Sequence, residues 1–313
     1  MELIQTQQTQ DNLFQSFNNK DLINSFINEL DVSIKTKTSY KIAINQFVKY
    51  IDNKDILDIT RLDILKYKED LKAQNKSNST ISLYVFTIKR FYSWLESKEI
   101  IKDISKGIKG SKTQKGFKKD SFTLKQTKDI LDCINTNTLE GKRDYAIVNL
   151  LLRTGLRTIE ITRACISDIK QEGGEAILYI QGKGRESKDD FIFLTDKVLK
   201  PIYIYLEARK YKCENEPLFK SVSNRNKNNT ITTNSVSRLV KNIIKKAGIL
   251  NKKLTTHSFR HTAITFCLLA GASIQEAQVL ARHKDINTTL IYSHNINRVL
   301  NAPEKKIDSY LNF

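Results

Sequence analysis

Proline is nearly missing from this chain: three in 313 residues, alongside eleven glycines. So few chain breakers exclude a loop-dominated or collagen-like protein and make a mostly helical one the expectation. The four cysteines, Cys133, Cys165, Cys213 and Cys267, are widely scattered and form no CxxC pair. That spacing argues against a zinc site or a disulfide framework and fits a reducing compartment; the four read as small buried hydrophobes. No stretch approaches the roughly 20 apolar residues that span a bilayer. The opening MELIQTQQTQDNLFQ is polar, with no apolar signal-peptide core. A cytoplasmic protein with no membrane partner is therefore expected. There is no GxxxxGK[ST] and no HExxH, so neither ATP use nor a zinc hydrolase site is indicated, and no cofactor or metal is expected.

What the chain has in excess is positive charge. Fifty-two Lys+Arg against 34 Asp+Glu leave a net +18, a balance that favours a polyanionic partner, with nucleic acid the commonest. Lysine far outnumbers arginine, and Asn and Ile are abundant, so an AT-rich genome accounts for part of the excess. Hydrophobic residues make up 40%, ordinary for a globular protein, and the length suits two domains with separate cores.

Residues 1–20 are Gln/Asn-rich and read as a flexible tail. Helical spacing then predicts Asp21–Leu30, Thr36–Ile51, Arg61–Ala73 behind Thr60 as N-cap, and Ser79–Ser97 with a stripe of Ile81, Val85, Ile88, Phe91, Tyr92 and Leu95. Residues 21–97 thus form a small helical bundle. Residues 98–120, KEIIKDISKGIKGSKTQKGFKKD, carry eight lysines and read as a basic inter-domain linker. From Ser121 to the end a second domain is expected. Its helices lie near Leu124–Ile134, Lys142–Arg153, from Thr158, Asp196–Tyr211, Asn234–Ala247, Thr256–Leu269, Ile274–Ala281 and Asn287–Tyr292. Strands Ala176–Ile180 and Phe191–Leu194 form a hairpin around Gly182-Lys183-Gly184, and an amphipathic segment, Pro303–Leu311, closes the chain. The fold class is mainly α with one small antiparallel sheet.

All four histidines, His257, His261, His283 and His294, fall in the last fifth of the chain. They sit in TTHSFRHT, LARH and TTLIYSH, and TGLRTIEI and IQGKGRE stand upstream. On a helix, His257, Arg260 and His261 share one face near the N-terminus, where free amides and the positive dipole end hold an anion. TGLR places Arg157 at a helix start, and its planar fork suits phosphate oxygens. GKG presents Lys183 at a hairpin tip. Two arginines, a lysine, two histidines and a tyrosine, without metal or nucleotide, suit phosphoryl transfer from a DNA backbone. A tyrosine hydroxyl with a free pKa of about 10 needs a base and cations before it attacks phosphorus. Charge gathering on the non-bridging oxygens needs fixed cations, and the departing 5′-oxygen needs a proton, which a hairpin lysine supplies.

These segments resemble the tyrosine recombinase (phage integrase-like) family, which includes the Xer recombinases. TGLR-x2-E matches its first arginine box, implying Arg157 as the catalytic arginine and Glu160 as its supporting acid. HSFRHT matches the H-x-x-R box, giving His257 and Arg260. LARH matches the usual LGH, giving His283, and TTLIYSH gives Tyr292 as nucleophile, nine residues later. Two departures stand out: Arg282 replaces the usual glycine before His283, and GKGRESKDDF lacks the basic pair after GKG. Lys183 is therefore the expected lysine, ahead of Arg185 and Lys188. The resemblance covers residues 121–313 strongly; residues 21–97 look like the family's core-binding domain.

The resemblance implies a two-domain clamp on double-stranded DNA at a specific recombination site, a 3′-phosphotyrosine, a Holliday junction and a tetrameric synapse. It further implies chromosome-dimer resolution or mobile-element integration and excision as the biological task. For Ile307, Tyr310, Leu311 and Phe313 at the C-terminus two readings stand, packing on their own domain or docking into a neighbouring subunit, the family favouring the second. His261 reads equally as a phosphate contact or a core residue, and His294 as structural. Two other functions share the features: a type IB topoisomerase-like enzyme, and a catalytically silent DNA-binding relative.

Overall fold

The computed structural model describes residues 18–52, 54–112, 120–182, 184–222, 228–251, 253–300 and 303–311, with side chains 295–300, 303 and 305 left aside. It divides into two compact units, residues 1–115 and 116–313.

The first unit is built from α1 (Asn19–Glu29), α2 (Ile34–Tyr50), α3 (Arg61–Ala73) and α4 (Asn78–Ser97). Each starts on a side-chain cap: Asn18, Ser33, Thr60 and Ser77 accept from backbone amides of the first turn. Apolar residues at helical spacing, including Phe26, Ile44, Phe47, Ile64, Ile88 and Phe91, close into one core. The buried Tyr92 hydroxyl donates to Ile56 O at 2.9 Å, so the aromatic ring is buried without an orphaned oxygen. The chain beyond α4 differs from a bare linker: Ile108 belongs to this core, and Ile100, Ile101 and Ile104 pack against it. The isoleucines interleaved among the lysines of 98–112 anchor that stretch to the first unit.

The second unit holds α5 (Leu124–Asp132), α6 (Leu139–Thr154), α7 (Thr158–Arg163), a 3-10 turn at Ile166–Asp168, strands β1 (Ile169–Glu172), β2 (Glu175–Ile180) and β3 (Asp190–Phe193), then α8 (Asp196–Arg209), α9 (Thr233–Lys246), α10 (Thr256–Leu269), α11 (Ile274–Ala281), α12 (Asn287–Leu300) and α13 (Pro303–Leu311). It is mainly helical with one antiparallel sheet in the order β1-β2-β3, the fold class expected. The predicted hairpin is the β2–β3 pair, with Ile180 opposite Asp190. The additional strand, β1, pairs with β2 across Gly173-Gly174, both at positive φ, as a two-residue hairpin turn requires.

Helix α6 is buried along most of its length and, with α10, runs through the main core, where Phe122 packs on Phe259 at 4.7 Å between ring centroids. A smaller cluster, Ile264, Ala277, Ala281 and Tyr292, joins α10, α11 and α12. Helix α12 runs on to Leu300 rather than stopping near Tyr292. The cysteines differ from expectation: Cys133, Cys165 and Cys267 are partly buried, and Cys213, in the loop after α8, is exposed; all are free thiols. No helix among the described residues is long and apolar enough to cross a membrane.

Candidate active site

Local backbone chemistry sets the first arginine. Gly155 ends α6 with φ 61°, the left-handed cap that glycine adopts without strain. A Cβ there would lie 3.4 Å from that of Ala263. Leu156 then anchors the turn in the core and Arg157 becomes the N-cap of α7. Three residues on, Glu160 is 1% exposed. Its Oε2 accepts from the Arg157 amide at 2.7 Å, and its Oε1 from the Arg157 guanidinium at 2.9 Å. One carboxylate thereby closes the helix start and aims the side chain.

Arg260, on the second turn of α10, is buried. Its guanidinium donates to Gly155 O at 2.7 Å and to Ala281 O, tying the α6 and α11 ends together. Burial, and then the neighbouring Arg157 and Arg282 charges, push its pKa down to about 9; it is still cationic at neutral pH. Arg282 completes a trio. Its Nη2 lies 3.1 Å from Glu160 Oε2, its Nη1 donates to Leu280 O at 2.9 Å, and its own carbonyl accepts from Arg157 at 3.4 Å. The carbonyls at the C-terminus of α11 that lack a partner within the helix, at its negative end, are thus capped by three guanidiniums.

His283 follows directly. Its amide bonds Gln278 O at 3.2 Å, and its Nδ1 faces Thr289 Oγ1 at 2.9 Å, which orients the ring. Burial and then Arg260, Arg157, Arg282 and His261 push its pKa down to about 4, leaving a neutral imidazole. Tyr292 is 4% exposed. Its ring stacks on His283 at 6.4 Å and lies 5.5 Å from that of His261. The His261 Nδ1 and the Tyr292 hydroxyl are hydrogen-bonded. Burial pushes the hydroxyl up to about 12 against the opposing pull of Arg260.

The structure therefore gathers Arg157, Glu160, Arg260, His283 and Tyr292, which come from four separate stretches of sequence. His257 is exposed on the first turn of α10, one turn before His261. Lys183 lies outside the described residues. Its neighbour Gly184 has φ 79°, and Gly182 O accepts from Arg163 of α7 at 3.0 Å, which ties this loop to the Arg157 helix. The two basic residues after it are engaged elsewhere: Arg185 with Asp189, and Lys188 with Asp168 at 2.6 Å. His294 is exposed. Two contributors were not assigned by sequence reasoning. His261 was visible as the second histidine of HSFRHT, but nothing local joins it to a tyrosine 31 residues on. Arg282 was visible as a departure from LGH, but without a partner.

Residues 120–298 match the phage integrase family, and residues 22–102 match the N-terminal SAM-like domain of phage integrases. The chain belongs to the phage integrase family. Its members are tyrosine recombinases, enzymes that transfer DNA strands. The tyrosine recombinase XerD of Oceanobacillus iheyensis is 30% identical over 276 residues, 85% of this chain and 89% of that one. XerD of Listeria monocytogenes serovar 1/2a is 28% identical over 285 residues, 88% of this chain and 93% of its own length. Among solved structures, XerH recombinase bound to palindromic difH in a post-cleavage complex matches at a TM-score of 0.72 with 18% identity, covering 93% of this chain and 85% of that one. A lambda integrase dimer bound to a core site matches at 0.71 with 16% identity, covering 88% and 77%.

Proposed function

We propose that this phage integrase family member is a site-specific recombinase that cuts and rejoins duplex DNA with Tyr292 as nucleophile. The observation that carries the reading is the placement of a tyrosine hydroxyl on His261, with its ring stacked on His283, in a centre that also holds the buried Arg260. Xer recombinases similar over most of this chain, and family structures solved on DNA, support it.

In the proposed reaction the Tyr292 oxygen attacks phosphorus, the bond to the 5′-oxygen breaks, and a 3′-phosphotyrosine forms. Arg157 and Arg260 gather the non-bridging oxygens, and neutral His283 donates a hydrogen bond to one of them. Lys183 gives its proton to the departing 5′-oxygen. His257, exposed at the start of α10, binds phosphate and takes the phenolic proton, while His261 holds the hydroxyl before DNA arrives. Attack by the 5′-hydroxyl of a partner strand reverses the step through a Holliday junction, and the phosphotyrosine conserves the bond energy meanwhile. Residues 21–97 serve as the core-binding domain and residues 121–313 as the catalytic one. The net charge of +18 grips the phosphates, so binding falls steeply with salt. Four copies assemble on DNA, each docking α13 into a neighbour: Ile307, Tyr310 and Leu311 of that helix are all exposed and offer an apolar face to a partner groove.

A pool of nicked duplexes, random on both sides of the nick, provides the test. The protein should form a covalent adduct that survives denaturation, is enriched for one sequence, and disappears in Tyr292→Phe. No adduct from the unaltered protein refutes the reading, and relaxation of any supercoiled plasmid without sequence enrichment would replace it with a topoisomerase.

A further inference from the structure

Arg282 occupies the left-handed position that ends α11, with φ 51° and ψ 47°. Glycine is the residue that suits such a position, and an L-side chain there is strained. The side chain is also 9% exposed, so a cation has been taken out of water, and its Nε meets no acceptor among the described residues. Packing alone does not account for a residue with three such costs. What it gains is specific: its guanidinium holds the Oε2 oxygen of Glu160, the same oxygen that accepts the Arg157 amide. Its backbone carbonyl takes a hydrogen bond from Arg157 itself. The residue immediately after it is His283.

We propose that Arg282 is a positioning residue for strand cleavage, locking the Glu160–Arg157 pair to the turn that carries His283. The inference rests on the recombinase reading above. Without Arg282, Glu160 is held by Arg157 alone, and the α7 start and α11 end lose one of the links that keep Arg157 and His283 in register. Its charge also acts on His283: with Arg260, Arg157 and His261, it is among the groups that hold the imidazole neutral.

The experiment compares Arg282→Gly and Arg282→Lys. Glycine fits the backbone better than arginine, so Arg282→Gly should melt no lower than a few degrees below the parent. On the nicked duplex enriched from the random pool, at saturating protein, the first-order rate of adduct formation should fall roughly ten- to a hundredfold in Arg282→Gly. DNA affinity should stay within about twofold, and Arg282→Lys, which keeps the charge beside Glu160 but not the second arm on Leu280 O, should recover part of the rate. Adding Glu160→Gln to Arg282→Gly should cost less than the two separate losses multiplied, as residues acting through one contact do. A second readout needs no DNA: NMR titration of the histidines should show the His283 pKa rising in Arg282→Gly and staying near the parental value in Arg282→Lys. Native cleavage by Arg282→Gly, a loss of affinity as large as the loss of rate, or a His283 titration unmoved by Arg282→Gly overturns the proposal. Absence of any adduct from the unaltered protein overturns the recombinase reading instead, and the activity role with it.

Discussion

Replacing Glu160 with alanine perturbs the one carboxylate that Arg157 and Arg282 share. At 1% exposure it accepts from the Arg157 amide at 2.7 Å, the Arg157 guanidinium at 2.9 Å and the Arg282 guanidinium at 3.1 Å. Removing one partner from a buried ionic group strands the remaining charges and costs about 3–5 kcal/mol. Part of that is recovered, because Arg282 keeps Leu280 O and Arg157 keeps the Arg282 carbonyl. A loss of about 3–4 kcal/mol is therefore expected, within the range for charge-assisted hydrogen bonds lost in the interior. For a unit of this size each kcal/mol lowers the melting point by about 2–4 °C, giving a fall of about 6–16 °C. Calorimetry that resolves the transition of residues 116–313 measures it directly. Glu160→Gln, which keeps one acceptor oxygen, should lose roughly half as much. Because the damage is stranded charge, Glu160→Ala combined with Arg282→Gly should melt higher than Glu160→Ala alone. A Glu160→Ala protein melting within about 2 °C of the parent would refute the reasoning.

His261→Ala should slow adduct formation about tenfold at saturating DNA while leaving affinity unchanged, since it holds the hydroxyl rather than the duplex; single-turnover kinetics decide it. His283 supplies a pH dependence. Its folded pKa of about 4 lies below the ordinary 6.5, so as pH falls the unfolded chain takes up the proton first. That stability is complete above pH 6.5 and lost as pH falls towards 4, by about 1–2 kcal/mol for a partly exposed group. Denaturant melts across that window should show the slope, and His283→Gln should flatten it. Finally, Ile307→Glu in α13 should leave single-site binding intact and reduce higher assemblies on DNA, read by native gel shifts.

Much of this architecture was legible in the sequence because it is written in short-range terms. The stripe from Ile81 to Leu95 marks one face of α4, and Thr60, a capping side chain, marks the start of α3. TGLR and HSFRHT each place their arginine within a single turn of structure. Other features depend on distant residues. Strand β1, IKQE, has no apolar alternation because it lies at the sheet edge with three of its four side chains exposed, so only its pairing with β2 defines it. The isoleucines of 98–112 were outweighed by the surrounding lysines, yet Ile108 finds a core built by helices earlier in the chain. The His261–Tyr292 bond and the sharing of Glu160 by Arg157 and Arg282 join residues 31 and 122 positions apart. No spacing rule reaches that far.

The single buried carboxylate among three guanidiniums also makes positions 160 and 282 unequal in what they tolerate. Arg282 can be replaced by glycine while Glu160 stays satisfied by Arg157. Losing Glu160 first leaves the nearly buried Arg282 guanidinium and the partly exposed Arg157 without the carboxylate they share. Losing the arginine while keeping the acid is therefore the cheaper of the two single changes, and losing the acid while keeping the arginine the costlier, an asymmetry set by electrostatics.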